Sequence, residues 1–188
     1  VLLWGMDTPK YAPAAPIIDG HYVCSVGGNA RDYKTLLEAA TRLPHMKFVL
    51  VVRRDSLAGL TVPGNVEVLV DIPYGRAMNI LHFSRFMVLP LEGAEVPCGH
   101  VTMVSCMHLG RALIVTESAG IVDYAHDNET AVVVPFGDAS RLTEAIERLW
   151  QDPDRSERLG ANAKMFAREH CSPDHHKAHL HAYLKRLG

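Results

Sequence analysis

Two stretches carry residue types that could do chemistry. In SVGGNARDYKTLLEA, Ser25 to Ala39, an apolar run ends at Gly27 and Gly28, and a helical pattern begins near Asp32 with Arg31 just before it. Paired glycines permit a tight turn and close approach of a ligand to backbone. A helix start offers free amides at a positive dipole end, and an arginine adds a permanent charge with forked donors. Together these parts make an anion site, most naturally for a diphosphate, although the same residues would also make a plain turn beside a solvated arginine. In PLEGAEVPCGHVTMVSCMHLGRALIVT, Pro90 to Thr116, an apolar run leads into Glu92, Glu95, Pro97, Gly99 and His100, then into a helix whose first amides include Val101 and Thr102. Two helix starts facing one crevice suit a ligand with more than one phosphate. A carboxylate such as Glu95 alongside them suits sugar hydroxyls, whose protons it can accept. Taken singly, Glu95 reads as a surface residue. The chain contains neither GxGxxG nor GxxxxGK[ST], which disfavours the usual dehydrogenase fold and the P-loop enzymes.

The elements that must position these residues alternate. HYVCSVG, KFVLVV, VEVLV, FMVLPL, ALIVT and AVVVP are short β-rich runs, and helical patterns such as DYKTLLEAATRL, GRAMNILHF, HVTMVSCMHL and SRLTEAIERLWQD fall between or after them. Six strands interleaved with helices predict an α/β, Rossmann-like parallel sheet with helices on its faces. In the first helix Leu36, Ala40 and Leu43 recur at helical spacing and define its buried stripe. Gly110 stands where a left-handed residue would end the helix before Arg111, and Asp138 or Ser140 can cap the helix carrying Leu142, Ala145, Ile146 and Leu149. Two further helices are predicted, roughly Pro153 to His170 and Pro173 to Leu187, each with proline in its first turn. Ligands of such sheets bind beyond the C-terminal strand ends, which selects the loops at Gly27, Ile72, Leu91 and Thr116.

A chain of 188 residues, 48% hydrophobic and 21% charged, fits one globular domain. Its formal charge of −2 provides no basic field for nucleic acid. Cys24, Cys98, Cys106 and Cys171 are widely spaced with no CxxC pair, which points to a reducing compartment. No apolar run approaches the length needed to span a bilayer. Residues 1–20, rich in proline from Asp7 onward, read as a connector, and residues 21–188 as the domain proper. Val1 and the strand-and-turn character of VLLWGMD suggest a fragment of a longer chain. DHHKAHLHAY, Asp174 to Tyr183, reads as a surface helix rather than a metal tract, and Trp4 and Trp150 read as packing anchors.

The order of motifs resembles the retaining glycosyltransferases of family 4, the old group 1, which have the two-lobed GT-B architecture. VLLWGMD looks like the turn leading out of their N-terminal lobe. GGNARDYKTLLEA resembles their glycine turn and basic residue before a Leu-Leu-Glu-Ala helix. NVEVLVDIPYGRAMNILHFSRFMVLPL is similar to the strand and base-contacting loop that precede the donor site, and GHVTMVSCMHLGRALIVTESAGIVDYAHDNETAVVVPFGDASRLTEAI to the segment that follows. The resemblance covers nearly the whole chain and implies the C-terminal, nucleotide-sugar-binding lobe.

It also implies roles. Arg31, Gly27, Gly28 and the amides near Val101 and Thr102 would hold a diphosphate. The loop at Ile72 and Pro73 would hold the base through backbone groups, while Glu95, Gly99 and His100 would face the donor sugar. The family's two glutamates, aligned here, fall on Pro97 and Ser105. Ser105 could still meet a ribose hydroxyl, and Glu95 could replace the first acid by another loop path. The basic pair before the first helix is reduced to Arg31, with Gly28 near the other position. The implied scheme uses a nucleotide diphosphate sugar as donor, Glu95 and Arg31 as catalytic residues, and no metal. It places the enzyme in the cytoplasm, with any contact to the inner face of a membrane made through the missing acceptor lobe. A nucleotide-sugar epimerase and a non-catalytic nucleotide-binding or scaffold module are the rival readings.

Overall fold

Apolar runs long enough for one crossing of a sheet become strands, and the periodic runs become the helices that cover them. The structure, a computed structural model, describes residues 3–10, 15–93, 95 and 98–186. The strands are β1 (Val23–Val26), β2 (Phe48–Val52), β3 (Val66–Val70), β4 (Phe86–Leu89), β5 (Ala112–Thr116) and β6 (Val132–Val134). The helices are α1 (Tyr33–Arg42), α2 (Tyr74–Phe83), α3 (His100–His108), α4 (Ala139–Gln151), α5 (Pro153–His170) and α6 (Pro173–Lys185). All six strands pair in parallel in the order β3-β2-β1-β4-β5-β6. This is the Rossmann-like sheet that the alternating pattern predicts.

The inner strands β1, β2, β4 and β5 are buried at every position, which is why their sequences read as unbroken apolar runs. Alternate side chains feed two cores. Val49 and Val51 of β2 join α2, α3 and much of α5 on one face, whereas Phe48, Leu50 and Val52 join α1 and α4 on the other. At the β3 edge, Glu67 pairs with Lys47 at 2.9 Å. A charge on an edge strand discourages pairing with another chain.

Local chemistry sets the helix ends. Asp32 caps α1, its Oδ1 accepting from the Thr35 amide at 3.0 Å. Asp138, not Ser140, caps α4 through the Arg141 amide at 2.9 Å, and the Ser140 hydroxyl accepts from Arg42 instead. Gly110 has φ +68°, the left-handed conformation that ends α3 as its position predicts. Helix α2 begins at Tyr74, one residue earlier than its sequence pattern suggests, because the Pro73 carbonyl accepts from the amides of Arg76 and Ala77.

The described part of the connector contains no helix or strand, but it is fastened along its length. Leu3, Met6, Ile17 and Ile18 pack against the first core. The Asn79 side chain accepts from the Ile17 amide and donates to the Ala15 carbonyl, and the Met6 amide donates to Cys171 O at 2.9 Å. Among the described residues, no helix is long and apolar enough to cross a membrane.

All four cysteines are free; Cys24, Cys106 and Cys171 are buried and Cys98 is partly exposed. Burial raises the Cys24 thiol from its ordinary 9.0 to about 12 and raises Cys106 well above the usual thiol range. A folded-state pKa above the unfolded value gives stability that is complete below about pH 9 and is lost as pH climbs toward the folded value. The urea midpoint is therefore expected to be lower at pH 10.5 than at pH 8. In native protein at pH 8 a disulfide reagent should titrate Cys98 first and the other three only on unfolding. Equal midpoints, or four equally fast thiols, would contradict the burial of these side chains.

Candidate nucleotide-binding cleft

From β1 the chain moves outward to β2 and β3, then returns to place β4 on the other side of β1. Connections therefore diverge between β1 and β4, where a parallel sheet opens a crevice at its C-terminal edge. A cavity of about 1040 Å³ occupies that position. Its wall includes Gly27, Gly28 and Arg31 after β1, Arg53 after β2, and Asp71 and Ile72 after β3. Cys98, Gly99, His100, Val101, Thr102 and Ser105 line it from the start of α3.

The loop after β1 is built to present Arg31. Gly27 has φ +127°, a backbone that favours glycine, and a Cβ there would lie 2.8 Å from Arg31 Nη2, so a side chain would also displace the guanidinium. The Tyr33 hydroxyl donates to Gly27 O. Backbone bonds from Asp32 N to Pro90 O and from Glu92 N to Ala30 O tie this loop to the one after β4, with Arg31 bridging Leu91. That second loop is pinned to β5, since Leu91 N donates to Thr116 Oγ1 at 2.6 Å. Arg31 Nη1 donates to Asn29 O at 2.6 Å, while its buried Nε has no partner. Burial lowers the Arg31 pKa, and neighbouring Tyr33 and Cys98 partly oppose that shift. Among the described residues no carboxylate lies within ion-pair distance of Arg31. The loop thus holds a cation with an unused donor beside a ligand-sized space.

The two uncapped helix starts are not the two that the sequence suggests. At α1 the anion position is already taken by the Asp32 carboxylate, which also accepts from Thr35 Oγ1 at 2.5 Å. Helix α3 follows Gly99, φ +93°, at its N-cap position and has no side-chain cap, so its first amides, including those of Val101 and Thr102, remain available at the cleft. A Cβ at Gly99 would lie 3.1 Å from both Leu89 and Leu91. Helix α2 also lacks a side-chain cap, and its first residue, Tyr74, lines the cleft.

The remaining sequence-selected residues divide. His100 lines the cleft, but its Nε2 lies 2.6 Å from Gly120 O. A carbonyl only accepts, so Nε2 carries the proton of that bond. Ser105 is fully buried and donates to Val101 O at 2.6 Å, leaving its oxygen 3.4 Å from the exposed Tyr74 hydroxyl. Pro73 does not line the cleft: it has no N–H, and its carbonyl is spent on α2, so Ile72 is the member of that loop at the wall. Glu95 is exposed and lies outside the cleft lining. Pro97 lies outside the described residues.

Several wall residues carry no sequence signal for the role. Trp4 is 50% exposed and lines the cleft rather than anchoring a core, held by its amide to the Tyr124 hydroxyl at 2.7 Å. Tyr124 in turn packs its ring against His100, centroids 5.1 Å apart. His176 reaches the rim from α6, its Nδ1 3.3 Å from Leu3 O. Trp150 does anchor the second core, under the Arg85 guanidinium at 4.6 Å. The histidine-rich α6 buries no residue. Among the described residues no group of three or more His, Cys, Asp or Glu is placed to hold a metal ion.

Residues 21–152 match the family described as glycosyl transferases group 1. The chain belongs to that family. A curated relative, the alpha-D-kanosaminyltransferase of Streptomyces kanamyceticus, is 28% identical over 85 residues, 45% of this chain and 21% of the relative. Among solved structures, sucrose-phosphate synthase of Thermosynechococcus elongatus superposes with a TM-score of 0.72 at 17% identity, covering 88% of this chain and 45% of that one. Anabaena HepE, solved in complex with UDP-glucose, gives a TM-score of 0.72 at 12% identity, with 88% and 49% covered. The C-terminal domain of a group 1 family protein from Francisella tularensis gives 0.62 at 13% identity, with 78% and 84% covered. At these identities the structures share the fold with this group 1 chain. The chain spans about half the length of the first two of them and about a fifth of the curated relative.

Proposed function

We propose that this group 1 chain is the donor-binding lobe of a two-lobed glycosyltransferase that moves a sugar, with retention, from a nucleoside diphosphate to an acceptor hydroxyl. The observation that carries the reading is the Arg31 guanidinium, with an unused buried Nε and no carboxylate partner among the described residues, facing the same cavity as the uncapped start of α3. As the sugar leaves, negative charge grows on the diphosphate. Donors already fixed there stabilise the transition state more than the bound donor. Arg31 and the α3 amides take this part, and the scheme calls for no metal.

Likeness to the Francisella C-terminal domain, over most of that domain's length, supports assignment to the C-terminal lobe. Leu180, Tyr183 and Leu184 are exposed on α6, a helix with no buried residue, which suits cover by another part of a larger protein. The acceptor and its binding surface belong to that part, so the chain alone binds donor without turnover. The test is calorimetric titration with UDP, GDP and ADP, and with their nucleosides, in the presence and absence of a chelator. A clear preference for one diphosphate over its nucleoside, unaffected by chelation, supports the reading; no preference for any diphosphate rejects it.

Glu95 is assigned to the sugar side because the loop carrying it leads directly into Cys98 and Gly99 at the wall. In the two-lobed protein Glu95→Gln is expected to lower transfer roughly tenfold or more while leaving bare nucleotide affinity within about twofold. Equal losses in both assays would assign Glu95 a structural part. Its position outside the cleft lining favours a second reading, a non-catalytic nucleotide-binding module. Wild-type transfer by the two-lobed protein would eliminate that alternative.

A further inference from the structure

We propose that Arg53 supplies the second cation of the anion site, and that position 28 is glycine because the Arg53 side chain occupies the place of its Cβ. The inference rests on the reading of the cleft as a nucleoside diphosphate site. Arg53 follows β2, the strand beside β1, so the sheet order brings it next to the loop that carries Arg31. Its Nη1 donates to Asn29 Oδ1 at 2.6 Å, while Arg31 Nη1 donates to Asn29 O at 2.6 Å. One uncharged residue therefore holds two guanidinium groups, one through its side chain and one through its backbone. Among the described residues neither arginine has a carboxylate within ion-pair distance. Two like charges gathered this way repel, and the repulsion is relieved when a group with several negative oxygens lies between them. Both arginines line the cleft.

The two glycines of the loop differ in what demands them. Gly27 has a backbone that only glycine adopts freely. Gly28 has no positive φ, so its backbone would accept any residue. A Cβ at Gly28 would meet Arg53 Cγ at 2.7 Å, and its Cβ and Cδ at 2.9 Å. The stem of Arg53 occupies the place of a Gly28 Cβ, and this contact, rather than the turn, excludes a side chain. The charge reaches the site from the neighbouring strand through space that a side chain at position 28 would fill.

The experiment titrates the protein with UDP, GDP and ADP and their nucleosides, comparing wild type, Arg53→Ala, and the double variant Gly28→Arg/Arg53→Gly, whose glycine also removes the Arg53 Cβ that would lie 2.9 Å from a Cβ at position 28. For the diphosphate that wild type prefers, Arg53→Ala is expected to weaken binding about tenfold, the scale of one charge-assisted hydrogen bond, and to leave nucleoside affinity unchanged. The double variant, which returns a guanidinium from position 28 into vacated space, is expected to recover most of that loss. If wild type prefers the diphosphate and Arg53→Ala keeps the same preference, the proposal is overturned while the cleft reading stands. If Arg53→Ala loses affinity for nucleoside and diphosphate alike, Arg53 only shapes the loop, and the proposal is again overturned. If wild type shows no preference for any diphosphate, the reading and the proposal fall together.

Discussion

Arg31→Ala is expected to weaken nucleoside diphosphate binding by about 1.5–3 kcal/mol, the scale of hydrogen bonds to a charged group, without destabilising the fold. Both halves follow from one arrangement. The guanidinium is drawn partly out of water, its Nε is buried without a partner, and its bond to Asn29 O satisfies only one of its donors. Holding a cation this way costs the folded protein free energy that a bound anion returns. Removing the side chain therefore takes away the ligand's partner and the native state's liability together. The thermal midpoint should be unchanged or higher while affinity falls. Arg31→Lys keeps a charge but loses the planar fork, and an intermediate loss is expected. A variant that binds as wild type, or whose affinity falls only as far as its stability does, would remove Arg31 from the site.

Gly160→Ala should destabilise the protein by roughly 1–3 kcal/mol, the cost of forcing atoms into a filled interior. Helix propensity alone gives the opposite sign, since alanine is favoured over glycine inside a helix by about 1 kcal/mol. The packing decides against propensity. Helix α5 crosses the turn between α3 and β5 so closely that a Cβ on Gly160 would overlap Gly110 O and come within 3.2 Å of Ala112 N. Backbone atoms cannot swing aside as a flexible side chain can. The Lys164 stem already lies 3.2 Å from where a Gly110 Cβ would sit, so the neighbouring space is filled too. Gly64, with no positive φ and open space around its Cβ position, serves as the control: Gly64→Ala should be neutral or slightly stabilising. Urea unfolding of both variants checks the pair. A Gly160→Ala protein as stable as wild type would mean that α5 stands farther from this turn.

What was legible in the sequence depended on how far a residue's partners lie along the chain. Strands, helices and their ends were legible because they rest on neighbours: the Leu36, Ala40 and Leu43 stripe, the choice of Asp138 or Ser140 as the cap of α4, and Gly110 at the end of α3. The Gly27 turn and Arg31 were legible for the same reason. Arg53 was not, since in sequence it is a charged residue after a strand, and only the pairing of β2 with β1 sets it against Gly28. Trp4 and Tyr124 meet across most of the chain, and no local pattern records the hydrogen bond between them. The free amides at α3 were foreseen, whereas the occupation of α1's start by Asp32 went unread although the helix was placed to begin near that residue. A carboxylate that ends a helix well also closes that end to other anions.

The two tryptophans report on different events. Trp4 looks into the cleft, and Trp150 packs in the core on the opposite face of the sheet beneath Arg85. Emission from Trp150→Phe protein would respond to what enters the cleft, while emission from Trp4→Phe protein would follow the unfolding of the α1 and α4 layer. The chain therefore carries two optical probes, one for occupancy and one for integrity.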